Sequence, residues 1–112
     1  MPSNRSLGGE GEDRAASLLL EHGFRILQRN VHLPGGEIDI VCLDGTTLVF
    51  VEVKRRRGTQ FGNALAAVDS RKRAKLRSIA ADYAQIIAPN ACIRFDVVAI
   101  DGARMILHRN AF

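Results

Sequence analysis

Residues 48–54 read Leu48-Val49-Phe50-Val51-Glu52-Val53-Lys54. The stretch is apolar on both faces, too much so for a sheet edge, so it reads as a strand covered from both sides. Leu48, Phe50, Glu52 and Lys54 share one face, and Val49, Val51 and Val53 share the other. A strand of this kind belongs in the middle of a sheet. It presents a carboxylate and an amine at the end of an otherwise buried element.

The preceding segment, Glu37 to Leu43, reads as a second strand. Glu37, Asp39, Val41 and Leu43 alternate with Ile38, Ile40 and Cys42. Asp44-Gly45-Thr46-Thr47 between the two strands is a hairpin signal. Pairing parity then decides whether chemistry is possible. A four-residue loop, Asp44 to Thr47, sets Asp39 opposite Glu52 and Glu37 opposite Lys54. A two-residue loop sets Glu37 opposite Glu52. A three-residue loop sends the two sets to opposite faces. The four-residue register is preferred, because it brings two carboxylates beside one amine.

Further out, Phe24 to Asn30 reads as a strand, followed by a turn at Pro34-Gly35-Gly36. Before it, Gly11 to His22 carries Ala15, Leu18, Leu19 and His22 at helical spacing, with Gly23 as the cap. Downstream comes a loop holding Gly58 and Gly62. A long helix then spans Ser70 to Ile87, striped by Leu76, Ile79, Ala80, Tyr83 and Ile87. Asp69 or Ser70 caps its start, and Pro89-Asn90 stops it. Ile93 to Ile100 and Met105 to His108 are the last strands, joined at Asp101-Gly102. The order is α-β-β-β-α-β-β. A right-handed crossover through the long helix makes the third and fourth strands parallel. The expected fold class is α/β, a mixed sheet flanked by helices.

The chain has 112 residues, 46% hydrophobic and 25% charged, which fits one domain over residues 1–112. No apolar run is long enough to span a membrane. The start is polar and two cysteines are too few for a disulfide framework, so the expected compartment is the cytoplasm. The net charge is +4, but it is unevenly spread. Residues 54–77 hold nine basic residues against one acid, Asp69, and thirteen of the sixteen basic residues of the chain are arginine. Arginine forks match phosphate geometry, so the segment points to a nucleic-acid partner. Its candidate contacts are Arg55, Arg56, Arg57, Arg71, Lys72 and Arg73, with Gln60 beyond the basic loop. Lys72 opens the long helix, where the dipole also favours anions.

Two close carboxylates repel, and one tends to stay protonated. A divalent cation such as Mg²⁺ removes the conflict, since it takes carboxylate, water and phosphate oxygens. With a lysine alongside, these are the parts of metal-assisted phosphodiester hydrolysis. Asp39, Glu52-Val53-Lys54 resembles the D…(D/E)-x-K signature of the restriction-endonuclease-like superfamily. The whole chain resembles its YraN-like family of uncharacterised proteins, which is similar to archaeal Holliday-junction resolvases. The matching pieces include Gly11-Glu12-Asp13-Arg14-Ala15, Gly23-Phe24-Arg25-Ile26-Leu27, Gly36-Glu37-Ile38-Asp39-Ile40, Leu48 to Arg55 and Arg94-Phe95-Asp96-Val97-Val98.

The resemblance implies an α-β-β-β-α-β core. It implies that Asp39 and Glu52 ligate Mg²⁺, with Mn²⁺ as a substitute and the Val53 carbonyl as a third ligand. It makes Lys54 the catalytic lysine and puts Glu12, on the first helix, near the metal through water. The motif here reads Gly-Glu-Ile-Asp, which leaves Glu37 as either a second acidic site residue or a partner of Lys54. The implied activity is a metal-dependent endonuclease on DNA, branched or junction DNA included, acting as a homodimer by analogy with resolvases. The alternative is a nucleic-acid-binding module that uses the 54–77 segment without cutting. Cys42, Cys92 and Tyr83 read as core residues. His22, His32 and His108 lack metal-ligand spacing. Arg94 and Asp96 share a strand face as an ion pair or a site edge.

Overall fold

The computed structural model describes residues 7–55 and 70–112. Arg56, Arg57 and Gln60 lie outside the described residues. Helix α1 (Leu7–Glu21) leads into β1 (Arg25–Leu33), β2 (Gly36–Asp44) and β3 (Thr47–Arg55). Helix α2 (Ser70–Ile87) then precedes β4 (Ile93–Asp101) and β5 (Arg104–His108). The five strands form one mixed sheet in the order β1-β2-β3-β4-β5. β3 and β4 are parallel, and the other neighbours are antiparallel. The α/β class and the α-β-β-β-α-β order are as expected.

The two faces of β3 separate two cores. Leu48 and Phe50 face α2, packing with Val31, Val41, Leu76, Ile79, Tyr83 and Phe95. Val49 and Val51 face α1, packing with Ala15, Leu19, Phe24, Ile40, Val98 and Ile100. Both faces of the central strand are covered, as its apolar run demanded. Tyr83 is a core residue, edge-on to Phe50, and its hydroxyl donates to Gln28 Oε1 at 2.6 Å.

Several boundaries and placements differ from the expectation. Helix α1 starts at Leu7 and takes the early glycines inside it. Gly11 has a packing reason to lack a side chain, because a Cβ there would stand 3.2 Å from Cδ of Arg55. β1 runs on to Leu33, with Asn30 at φ 55° inside it and a bulge between Ile26 and Gln28. The β2–β3 register has the preferred parity, but Asp44 pairs with Thr47, so the connection is only Gly45-Thr46. Gly45, at φ +64°, gives the positive dihedral that so short a hairpin needs. Cys42 is buried as expected. Cys92 is not: it sits one residue before β4 with its side chain exposed, while its carbonyl accepts the Leu48 N–H at 2.8 Å. His22, one residue past α1, and Ile87, the last residue of α2, also leave their apolar stripes for solvent.

Candidate active site

The β2–β3 ladder runs from Asp44–Thr47 to Ile40–Val51 and stops there. Beyond it the two strands part. The alternation of β2 breaks at the same place, since Ile38 and Val41, of opposite parity, both join the core under α2. The opening strands would leave the Val53 N–H without a ladder partner. The Asp39 carboxylate fills the fork instead, and Val53 N donates to Asp39 Oδ2 at 2.8 Å. Asp39 therefore belongs to the gap between strands more than to either face. That lets it feel both Glu52 and Glu12 of α1.

The buried Glu52 lies within hydrogen-bonding reach of Asp39. Burial pushes the Asp39 carboxyl up from 3.8 to about 7, and the Glu52 charge pushes in the same direction. The Val53 N–H opposes the rise without cancelling it. Two ammonium groups meet Glu52 Oε2: Lys72 of α2 at 2.6 Å and Lys54 at 3.4 Å. Burial holds Lys54 below the usual lysine range, and the neighbouring Lys72 adds to this. For Lys72, burial acts downward too, but its contacts with Glu52 and Lys54 outweigh it, and its proton is held more firmly than usual.

Glu12 is buried on α1, and burial raises its carboxyl despite Arg29 nearby. Its Oε1 lies 3.5 Å from Nε of Arg29. Among the described residues, those two atoms are the buried side-chain polar atoms left without a hydrogen bond. Arg29 spends its other end on Asp13, with Nη2 donating to Oδ1 at 2.6 Å.

Asp39, Glu52 and Lys54 thus converge, but across the fork: the expected register holds only as far as Ile40–Val51, so Asp39 and Glu52 are not ladder partners, and Glu12 stands close enough to act on Asp39. Glu37 does not join them. The ladder ends before it could pair with Lys54. Its carboxylate is 61% exposed and lies 3.6 Å from His32 Nδ1 instead. Lys72 enters the cluster, which the sequence reading had assigned only to phosphate contact. The signal was present: Lys72, Leu76, Ile79 and Tyr83 are spaced by four, three and four, so Lys72 lies on the buried face of α2. Arg71 is exposed on the helix surface. Arg73 lies over the Phe112 ring, 5.7 Å from its centroid. Arg55 reaches across Gly11.

The hard oxygen donors of Asp39 and Glu52 and their mutual repulsion, with the Glu12 charge also felt at Asp39, suit a divalent cation with water in its shell. Among the described residues, no three His, Cys, Asp or Glu side chains converge on one point. Protein ligation would therefore rest on the two carboxylates, which is the habit of Mg²⁺.

A family model matches residues 11–100, that of the uncharacterised protein family UPF0102. The chain belongs to UPF0102. A relative from Shewanella loihica is 43% identical over 105 residues, covering 94% of this chain and 92% of its own. One from Moorella thermoacetica is 47% identical over 100 residues, covering 88% and 82%. Both are described only as UPF0102 proteins. Among solved structures, a chain described as the EndoMS-dsDNA2 complex aligns at a TM-score of 0.45 with 20% identity, covering 78% of this chain and 34% of the other. So distant a likeness decides nothing about chemistry. No helix among the described residues is long and apolar enough to cross a membrane.

Proposed function

We propose that this UPF0102 protein is a metal-dependent endonuclease that hydrolyses DNA phosphodiester bonds, with branched DNA among its substrates. The observation that carries the reading is the convergence of Asp39, Glu52 and Lys54 at the mouth of the β2–β3 fork. Asp39 and Glu52 would hold Mg²⁺ or Mn²⁺, with the Val53 carbonyl completing the protein's share. Such an ion supplies Lewis acidity and neutralises charge on the phosphate. The chain's own residues do the rest. Lys54, held on Glu52 and lowered by burial, would orient the attacking water and exchange a proton with it. Glu12, whose charge is felt at Asp39, would position water beside the cation. Arg71 presents positive charge to the backbone of the substrate. A homodimer would match a substrate with two scissile strands.

The test is incubation with linear, nicked, single-stranded and four-way DNA in Mg²⁺ or Mn²⁺. Asp39→Ala and Lys54→Ala are each expected to lower the cleavage rate by about 10²–10⁴-fold while the circular dichroism stays unchanged. Cleavage that survives both changes would overturn the assignment.

One observation favours a second reading. Glu52 is already neutralised by two ammonium groups, so the cluster can be held together by the protein alone. A nucleic-acid-binding module that does not cut would bind DNA with strong salt dependence and without response to chelator. Calorimetric titration of Mn²⁺ into wild type and Asp39→Ala separates the two.

A further inference from the structure

Lys72 belongs to two places. Its ammonium sits 2.6 Å from Glu52 Oε2, on the same oxygen that Lys54 approaches to 3.4 Å. It also lines a groove of ≈ 380 Å³ between the start of β2 and the first turns of α2, together with Gly36, Glu37, Arg71 and Lys75. The groove is basic on balance, with three cations against Glu37, whose carboxylate lies beside His32.

A divalent cation held by Asp39 and Glu52 would add two positive charges next to both lysines. Like charges that close cannot share one carboxylate cheaply. Lys54 has little room to leave: it stands two residues from Glu52 on the same strand, and its side chain is 20% exposed. Lys72 is 38% exposed, reaches Glu52 from another element and has the groove to enter.

We propose that Lys72 is an exchangeable counter-ion: a divalent cation entering between Asp39 and Glu52 displaces it, and the displaced ammonium binds a nucleic-acid phosphate in the groove beside Arg71 and Lys75. The proposal rests on the reading of Asp39 and Glu52 as cation ligands. It makes Lys72 a positioning residue that couples the two binding events. By reciprocity, cation and nucleic acid then strengthen each other's binding.

The experiment has two readouts, neither of them cleavage. Mn²⁺ is titrated into chelator-treated wild type, Lys72→Met and Lys72→Gln, whose folds are checked by circular dichroism. Removing the competing ammonium is expected to tighten Mn²⁺ binding by about threefold. Binding of a labelled duplex of about 20 base pairs is then followed over a NaCl series. With Mn²⁺ present, both variants lose one phosphate contact, so the slope of log K against log salt becomes shallower by about 0.9. In chelator the slopes of variants and wild type coincide, because Lys72 is engaged by Glu52. Unchanged or weaker Mn²⁺ binding in both variants, or slopes that already differ in chelator, would overturn the exchange. Asp39→Ala distinguishes the two levels. If it loses Mn²⁺ while the Lys72 variants match wild type, only the exchange is wrong. If it binds Mn²⁺ like wild type, the ligand reading fails and the exchange falls with it.

Discussion

Two charged clusters share this sheet, and they are built on opposite principles. On the α1 face, Arg94 and Asp96 of β4 lie alongside Val49 and Val51, and their charges are fully matched. Asp96 is completely buried. It accepts from Nε and Nη2 of Arg94 and from the Asn110 N–H, all at 2.9 Å, while Arg94 Nη1 donates to Asp44. The hydrogen bond to Asp96 holds the Arg94 proton more firmly than usual. At the other cluster, on the open side of the hairpin, the pairing is uneven. Asp39 is driven towards neutrality, two lysines compete for one oxygen of Glu52, and Glu12 Oε1 faces Arg29 Nε at 3.5 Å without a hydrogen bond. Complete pairing is what a structural ion pair needs. Conflict between close acids is what a bound cation would relieve.

The sharpest way to break this contrast is to remove one acid from each cluster. Asp96→Ala leaves a guanidinium half-stranded beside the Phe24 ring, and is expected to cost about 3 kcal/mol in urea unfolding. Asp39→Ala removes a strained carboxylate and is expected to leave stability within about 1 kcal/mol of wild type, or to raise it. Equal losses in the two variants would mean that the acid cluster is also structural.

The pH dependence sharpens the same point. Asp39 holds its proton up to about 7 in the folded chain, against roughly 3.9 when unfolded. Between those values the native state carries a proton that the unfolded state has lost. Stability therefore falls as pH rises through this window, and the deficit is complete above the folded value. Asp39→Asn keeps an oxygen for the Val53 N–H and removes the titration. In chelator, its Tm relative to wild type is expected to rise by about 10 °C between pH 5 and pH 8. A difference that stays flat with pH would show that Asp39 is not strained.

Much of this was legible in the chain, for identifiable reasons. The alternation in residues 40–43 and 48–54 sets which side chains share a face, and the hairpin register that follows brings the start of β2 beside the end of β3, where Asp39 meets Glu52 across the fork. The apolar run of β3 demands two covers, which are α1 and α2. What alternation does not carry is where a ladder stops. The fork beyond Ile40–Val51 depends on how neighbouring segments compete for the same hydrogen bonds, so register alone pairs Glu37 with Lys54 and the structure does not. Cys92 failed for a simpler reason. An apolar residue beside a strand start looks like part of the strand, but only the pleat assigns it a side, and it lies one residue outside.

Glu37 gives the smallest expected effect and the cleanest boundary for the acid cluster. It is the residue that motif spacing would most readily recruit, standing two positions before Asp39 on the same strand. Its contact with His32 is between two mostly exposed side chains at 3.6 Å, a pairing of the kind worth under about 1 kcal/mol. Glu37→Ala is therefore expected to leave both the unfolding midpoint and the Mn²⁺ affinity unchanged within measurement. Because the change also removes a negative charge from the groove wall, duplex binding should strengthen slightly, by about twofold or less. A loss of Mn²⁺ affinity on that substitution would extend the cluster along β2, beyond the point where the strands part. It would also mean that the fork closes far enough for Glu37 to reach the cation.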